Sequence, residues 1–346
     1  MLLIFSSIDC SKNPIIPSPT TSTDTTSHAF TFQTFSFGGG GGSILNDVAI
    51  INDTVVYAVG GIYLTDSAGQ YDPEPYNLAM WDGNSWKIQN VAYIYQGQPF
   101  YHPIECIYAF GPNDIWLAGN GVQHWDGAQF NEVDLPISLW GQNQVNKIWG
   151  INSSNFYIVG NGGSIAQYTG SSWTKLQSGT TLPINDIWGA QNSSGQWEVF
   201  AIASNPDSTA NMFLQIHPDN SVSQLSTNGL LPFATGIWFV PEKKYYVVGS
   251  GVGQKSSIND PSWSVYPSGV VTSYASGGVR GNGTNDVFVA GSFFEIVHYN
   301  GSTWHNYKDV IPFTDGAVGR IAVKGNLMVT VGLSGQNAVA IIGRRN

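Results

Sequence analysis

Six times along the chain an aromatic, β-branched run closes on a glycine: "VVYAVG" at Gly60, "DIWLAG" at Gly119, "NFYIVG" at Gly160, "KYYVVG" at Gly249, "DVFVAG" at Gly291 and "LMVTVG" at Gly332. The intervals 119 to 160, 249 to 291 and 291 to 332 are 41, 42 and 41 residues, and the 89 residues from 160 to 249 make two such periods with a degenerate "WEVFAIAS" between them. A second series leads each unit: "LNDVAI", "IECIYAF", "VNKIWGI", "INDIWGA", "ATGIWFV", "SGGVRG" and "VGRIAV". A third follows the glycine, in "LAMWDG", "VQHWDG", "IAQYTG", "FLQIHPDN", "SSIND", "IVHYNG" and "AVAIIG", and a fourth comes behind it in "SWKIQ", "QFNEV", "SWTKL", "SVSQL", "SWSVY" and "TWHNY". Each unit is therefore four short strands, with a period near 42.

Units of this length cannot bury an apolar face alone, and four strands per period is the pattern of propeller blades. Seven leading segments predict an all-β, seven-bladed β-propeller of four-stranded blades over residues 28–346. The seventh unit supplies three strands of its own. Residues 28–37, "HAFTFQTFSF", alternate aromatic with polar side chains and are expected to complete the last blade against residues 339–344, closing the ring. A closed ring has no open sheet edge, and a monomer is expected. Composition points the same way, since 41 Gly, 12 Trp, 16 Tyr and 17 Phe against 10% charged residues suit turn-punctuated strands. "GGGGGS" at 38–43 reads as a flexible connection, without the Lys and following helix of a phosphate-binding loop.

In "WDGNSW", "YTGSSW" and "YNGSTW" the Asp, Thr or Asn with Gly makes the tight turn between third and fourth strands, with Gly at positive φ. Trp86, Trp173, Trp263 and Trp304, with Phe130 at the matching place, recur as packing anchors of the outer strand. A sialidase-type Asp-box has one residue between its Asp and its Gly; here the two are adjacent.

A repeat of the form D-[IV]-W-G, N-D-[IV]-[FWY]-x-[VA]-G and [HQ]-[YW]-[DNT]-G-x-x-W resembles that of bacterial exported propellers over residues 30–346. These are distantly related to the Asp-box and photosystem II assembly-factor propellers, and often stand behind a lipoprotein leader. The resemblance implies a fold and an exported location. It carries over no functional residues, because the shared positions are structural.

Residues 1–27 resemble the end of a lipoprotein signal and its tether: a short apolar stretch, small residues, Cys10, then Pro, Ser and Thr. No Lys or Arg precedes the apolar stretch, and Asp9 stands where a small residue is expected. The expectation is an extracytoplasmic protein at the outer membrane or cell surface, its one membrane attachment a lipid on Cys10; the other reading is a disordered cytoplasmic tail. "MLLIF" is far short of the ~20 apolar residues of a spanning helix. With net charge −10 and 13 scattered Lys and Arg there is no basic stripe for nucleic acid. Cys106 reads as a small buried residue.

Catalytic and metal motifs are missing from the pattern, and no cofactor or metal is expected. Asp47, Asp114, Asp186 and Asp286 occupy repeated "ND" positions and read as structural, as do the turn residues Asp82, Asp126 and Asp260. His124 and His298 share a repeat position with Met80 and Gln167, which speaks against a metal. Arg280 and Arg320 lead neighbouring blades and are candidates to meet a ligand anion in the channel, the alternative being salt bridges. The repeat is broken at 60–77 and 90–103, both on the face of the strand 2–3 loops and blade-to-blade connections. These insertions carry Tyr63, Asp66, Tyr71, Asp72, Glu74, Tyr76, Tyr95 and Tyr101, beside Tyr93, Phe100 and His102, with Trp140 in the following connection. Aromatic planes beside acids suit a sugar or a peptide, or self-packing of the loops. The reading is a non-catalytic binding or scaffold propeller for a glycan or an envelope or secreted protein; the alternative is a carbohydrate-active enzyme, with Asp66, Asp72 and Glu74 as its acids.

Overall fold

The computed structural model describes residues 24–346 apart from 40, 67, 71, 96 and 97. Seven antiparallel four-stranded sheets form a seven-bladed propeller. The first blade consists of strands Ile44–Asn52, Val55–Ile62, Tyr76–Trp81 and Trp86–Gln89. The second begins at Cys106, the third at Val145, the fourth at Ile184, the fifth at Ala234, the sixth at Ser276 and the seventh at Gly316. First strands of neighbouring blades lie against one another around the axis.

In the seventh blade Gly316–Lys324, Leu327–Ser334 and Asn337–Arg345 are followed outward by Phe30–Phe37. Phe30 lies opposite Arg345 and Phe37 opposite Ala338. Alternate aromatics of this strand face different neighbours. Phe35 and Phe37 meet Trp86 at 6.1 and 5.6 Å, while Phe32 meets Tyr307 at 4.9 Å, so the strand is packed from both the first and the sixth blades.

Apolar side chains alternate between the two faces of every sheet, so the core is distributed between adjacent blades. The recurrent glycine ending the second strand is a matter of space. A Cβ on Gly60, Gly160, Gly249, Gly291 or Gly332 would run into the carbonyl of Ile44, Gln144, Phe233, Ala275 or Ala317, just ahead of a bulge in the first strand. In the fourth blade Ala203 holds this place, opposite Ile184. A polar side chain at the bulge ties each of four blades to the next: Asn46 to Ile104 O, Asn146 to Ile184 O and Asn185 to Ala234 O, each at 3.0 Å, and Thr235 to Ser276 O at 2.8 Å.

The third-to-fourth-strand turns have the expected chemistry, with Gly83, Gly170 and Gly301 at φ 94°, 88° and 100°. One strand differs from its sequence assignment. In the fifth blade the third strand is Gly251–Lys255, directly after Gly249, and "SSIND" is the turn behind it. The sequence concealed this because "GVGQK" carries two glycines where other blades carry apolar residues.

Candidate functional site

The two long insertions pack side by side. Buried Asn77 joins them, donating from Nδ2 to Val91 O at 2.9 Å and His102 O at 3.0 Å while its Oδ1 accepts the Val91 amide at 2.7 Å. Asn90 reaches back to Pro75 O at 3.0 Å. The second insertion forms a hairpin, Tyr93–Tyr95 with Gln98–Phe100. Tyr93 is its anchor: the ring lies over Gly121, where a Cβ would come within 2.8 Å, and burial pushes its hydroxyl pKa far up. Asn77 was not singled out in the sequence, where its signal was only that it ends the first insertion; Tyr93 was read only as one of the second insertion's aromatics.

The candidate residues fall into three groups. Asp66, Asp72 and Glu74 are exposed, and two carboxylates bind their own loop, Asp66 Oδ1 accepting the amides of Ala68 and Gln70 at 2.8 Å and Asp72 Oδ1 that of Glu74 at 3.1 Å. Tyr63, Tyr76 and Tyr101 are half-buried, Tyr76 against the cluster shared by the first and seventh blades. Trp140 is 3% exposed, with Nε1 donating to Asn143 O at 2.6 Å, and packs between the second and third blades. Tyr71 and Cys10 lie outside the described residues, and of Tyr95 only the backbone is described.

The two channel arginines differ in their partners. Arg280 gives Nη1 and Nη2 to the two oxygens of Asp186 at 2.9 and 2.8 Å, and Nη1 also reaches Ile237 O and Val279 O. Burial opposes ionisation of the Asp186 carboxyl, but Arg280 more than offsets it, and its pKa stays below the usual carboxylate range. Arg320 is half-buried near Glu105, and no hydrogen bond or ion pair of its guanidinium occurs among the described residues. Burial raises the Glu105 pKa, opposed by a hydrogen bond with Gln144 and by Arg320. A cavity of about 250 Å³ inside the ring is lined by Tyr108, Lys147, Trp188, Arg280 and Ile321.

The paired histidines have a structural explanation. His124 stacks on Trp116 at 4.4 Å and meets Asp114 at 2.8 Å; His298 stacks on Phe288 at 4.3 Å and meets Asp286 at 2.9 Å. Gln167 and Asn155 repeat the pairing in the third blade at 2.9 Å. Cys106 is fully buried and forms no disulfide among the described residues, and burial pushes its thiol pKa well up.

Residues outside the candidate set define one face. Every large hydrophobic residue that is exposed among those described, Ile94, Phe100, Ile137, Val270, Phe293 and Val310, lies between 44 and 70% exposed in a blade-to-blade connection or strand 2–3 loop. Those segments all emerge on the face of the two insertions. Among the described residues the loops of this face also expose Asp66, Asp72, Glu74, Asp134, Asp207, Asp309 and Asp315, against Lys308 alone among the bases.

A structure described as "YCF48 bound to D1 peptide" superposes with TM-score 0.67 at 14% identity, over 91% of this chain and 95% of that one. The fold is that of the seven-bladed propellers. Virginiamycin B lyase from Staphylococcus aureus aligns at TM-score 0.63 and 9% identity over 91% of this chain and 99% of that one. The WD40 propeller domain of Doa1 aligns at 0.61 and 11%, over 91% and 97%. No family model and no curated protein matches the sequence. Neighbours this remote, some binding proteins and some lyases, share the architecture alone with this chain.

Proposed function

We propose that the protein is a non-catalytic binding or assembly-scaffold propeller that presents its insertion face to a protein partner. The observation that carries this reading is the confinement of the exposed large hydrophobics to one face, where the loops also hold seven exposed acids against one lysine. Apolar anchors within an acidic surround suit a partner segment with apolar and basic side chains, the apolar contacts supplying affinity and the charges orientation and on-rate. The YCF48 neighbour, bound to a peptide, is compatible with such a role on this architecture. Arg320, whose guanidinium makes no hydrogen bond or ion pair among the described residues, is a candidate for an acidic group of the partner that reaches the channel.

The setting in this proposal is extracytoplasmic, with residues 11–27 tethering the ring to a lipid on Cys10, and its support is the leader sequence. Two experiments test the proposal. In-cell crosslinking compares wild type with an Ile94→Ser, Phe100→Ser, Ile137→Ser variant: a specific crosslinked partner is expected with wild type and lost in the variant at unchanged melting temperature. Loss of stability with an unchanged crosslink pattern would refute the docking face. Fatty-acid labelling that is equal in wild type and Cys10→Ser would refute the anchor.

A further inference from the structure

A second site lies on the opposite face. A groove of about 680 Å³ runs along the edge of the fourth blade, lined on its third-blade side by Tyr157, Gln167 and Trp197 and on the sheet face turned to the fifth blade by Glu198 and Gln215, with His217 in the turn between. The repeat is interrupted beside it. Where the third strand turns into the fourth, other blades set two aromatic rings together: Trp81 with Trp86 at 5.7 Å, Trp125 with Phe130 at 5.0 Å, Tyr168 with Trp173 at 4.8 Å and Tyr299 with Trp304 at 5.0 Å. In the fifth blade Trp263 is covered by the Lys255 ammonium at 5.2 Å. The fourth-strand ring reaches back to the preceding blade: Trp173 Nε1 donates to Asp134 O at 2.9 Å, Trp263 Nε1 to Ser226 O at 3.3 Å, and Trp304 meets Tyr246 at 6.4 Å. In the fourth blade the pair is Ile216 with Val222. No ring covers Tyr157 of the third blade from this position, as Trp304 covers Tyr246, and Tyr157 and Ile216 both line the groove.

The same blade lengthens its turns around the opening. Residues 192–196 separate its first two strands, where residues 53–54 and 153–154 suffice in the first and third blades. The wall is preformed by amides. Asn220, held at φ 65°, donates to Gln167 Oε1 at 2.7 Å across the blade junction, and Gln167 Nε2 donates to Asn155 Oδ1 at 2.9 Å. Trp197 stands edge-on to Trp149 at 5.5 Å and is half-buried. Its indole N–H and the half-buried Gln215 amide have no hydrogen-bond partner among the described residues, so both remain available to a ligand.

Among the described residues no lysine or arginine lines the groove, and its carboxylate and its imidazole are both engaged, Glu198 Oε2 accepting the Tyr245 hydroxyl at 2.9 Å and His217 Nε2 meeting Ser223 Oγ at 2.8 Å. Side-chain amides both donate and accept, as ligand hydroxyls do, and ring faces suit the C–H faces of a sugar. The volume lies within the usual range of small-molecule sites. From these observations we infer that the groove along the edge of the fourth blade binds a neutral saccharide, independently of the protein-docking face.

The test titrates the full chain with neutral hexasaccharides of glucose, xylose and N-acetylglucosamine, followed by tryptophan fluorescence and calorimetry. At least one is expected to bind. Gln215→Ala, which leaves the core intact, and Trp197→Ala should each weaken binding about tenfold. Val222→Trp restores the aromatic of the repeat and should abolish binding at an unchanged or higher melting temperature. The Ile94→Ser, Phe100→Ser, Ile137→Ser variant should bind sugar as wild type does, which separates the two sites. No binding by any probe up to about 10 mM would overturn the inference. So would binding that survives both Gln215→Ala and a folded Val222→Trp.

Discussion

Asp186 in the fourth blade grips Arg280 in the sixth with both carboxylate oxygens, while the same carboxylate accepts the Ile237 amide of the fifth at 2.9 Å. Asp47 in the first blade repeats the arrangement, meeting Lys147 of the third at 2.7 Å and the Ile107 amide of the second at 3.1 Å. Each aspartate therefore binds three successive blades at the axis. Both pairs are buried.

A buried pair of this kind is costly to break from one side, because the remaining charge has no solvent. Arg280→Met should destabilise the ring by about 3–5 kcal/mol, and Asp186→Asn with Arg280→Met should recover part of that loss. Urea unfolding of the two single variants and the double variant checks this. Strict additivity would show that the two residues are not coupled.

Gly160 tests the crowding at the end of the second strand. Its φ of −166° is open to any residue, so a substitution there meets a problem of volume. A methyl would press on the Gln144 carbonyl and the Trp140 ring, and Gly160→Ala should cost about 1–3 kcal/mol. Ala203 of the fourth blade supplies the comparison, since a methyl is already accommodated there and Ala203→Gly should cost only about 1 kcal/mol. Equal effects at both positions in chemical denaturation would remove the steric explanation.

The blade count was readable because each strand repeats its pattern at a fixed interval, and the "[DNT]-G" turns named their own geometry. The insertions were readable as breaks in that pattern. Sequence spacing does not show what a side chain meets across the ring, so nothing set Arg280, opposite Asp186, apart from Arg320, and Trp140 could not be recognised as buried. The saccharide groove is a subtler case. "SVSQL" was visibly the one fourth strand without an aromatic, but its meaning depends on that ring filling the junction with the preceding blade, a contact that only the fold displays.

The outer strand Phe30–Phe37 contributes four phenylalanines to two blade junctions. Deleting residues 24–37 should expose the edge of Asn337–Arg345 and the faces of Trp86 and Tyr307. The expected result is a large fall in melting temperature and concentration-dependent association through the freed edge. Calorimetry with light scattering measures both, and a truncated chain that melts like the full one would show that the seventh blade holds with three strands.

The N-terminal end of that strand carries a pH-sensitive contact. His28 Nδ1 lies 2.8 Å from His298 Nδ1, its Nε2 lies 3.0 Å from Thr303 Oγ1, and the His305 ring is 5.2 Å away. Asp286 and Arg345 complete the surroundings, Asp286 bonding His298 at 2.9 Å and Arg345 also holding the Ser27 carbonyl at 2.7 Å. Burial, then the neighbouring His298, His305 and Arg345, lower the His28 pKa to about 4. Burial also lowers that of His298, against the opposing pull of Asp286. The unfolded chain then binds more protons than the folded one between about pH 6.5 and 4, so stability is full above that window and falls as the pH drops through it. Removing the histidine pair should flatten the slope. In His28→Gln the melting temperature is expected to change less between pH 7 and about 4.5 than in wild type, with the difference greatest at the acidic end. Identical pH profiles for the two proteins would show that the contact does not govern closure at the amino terminus.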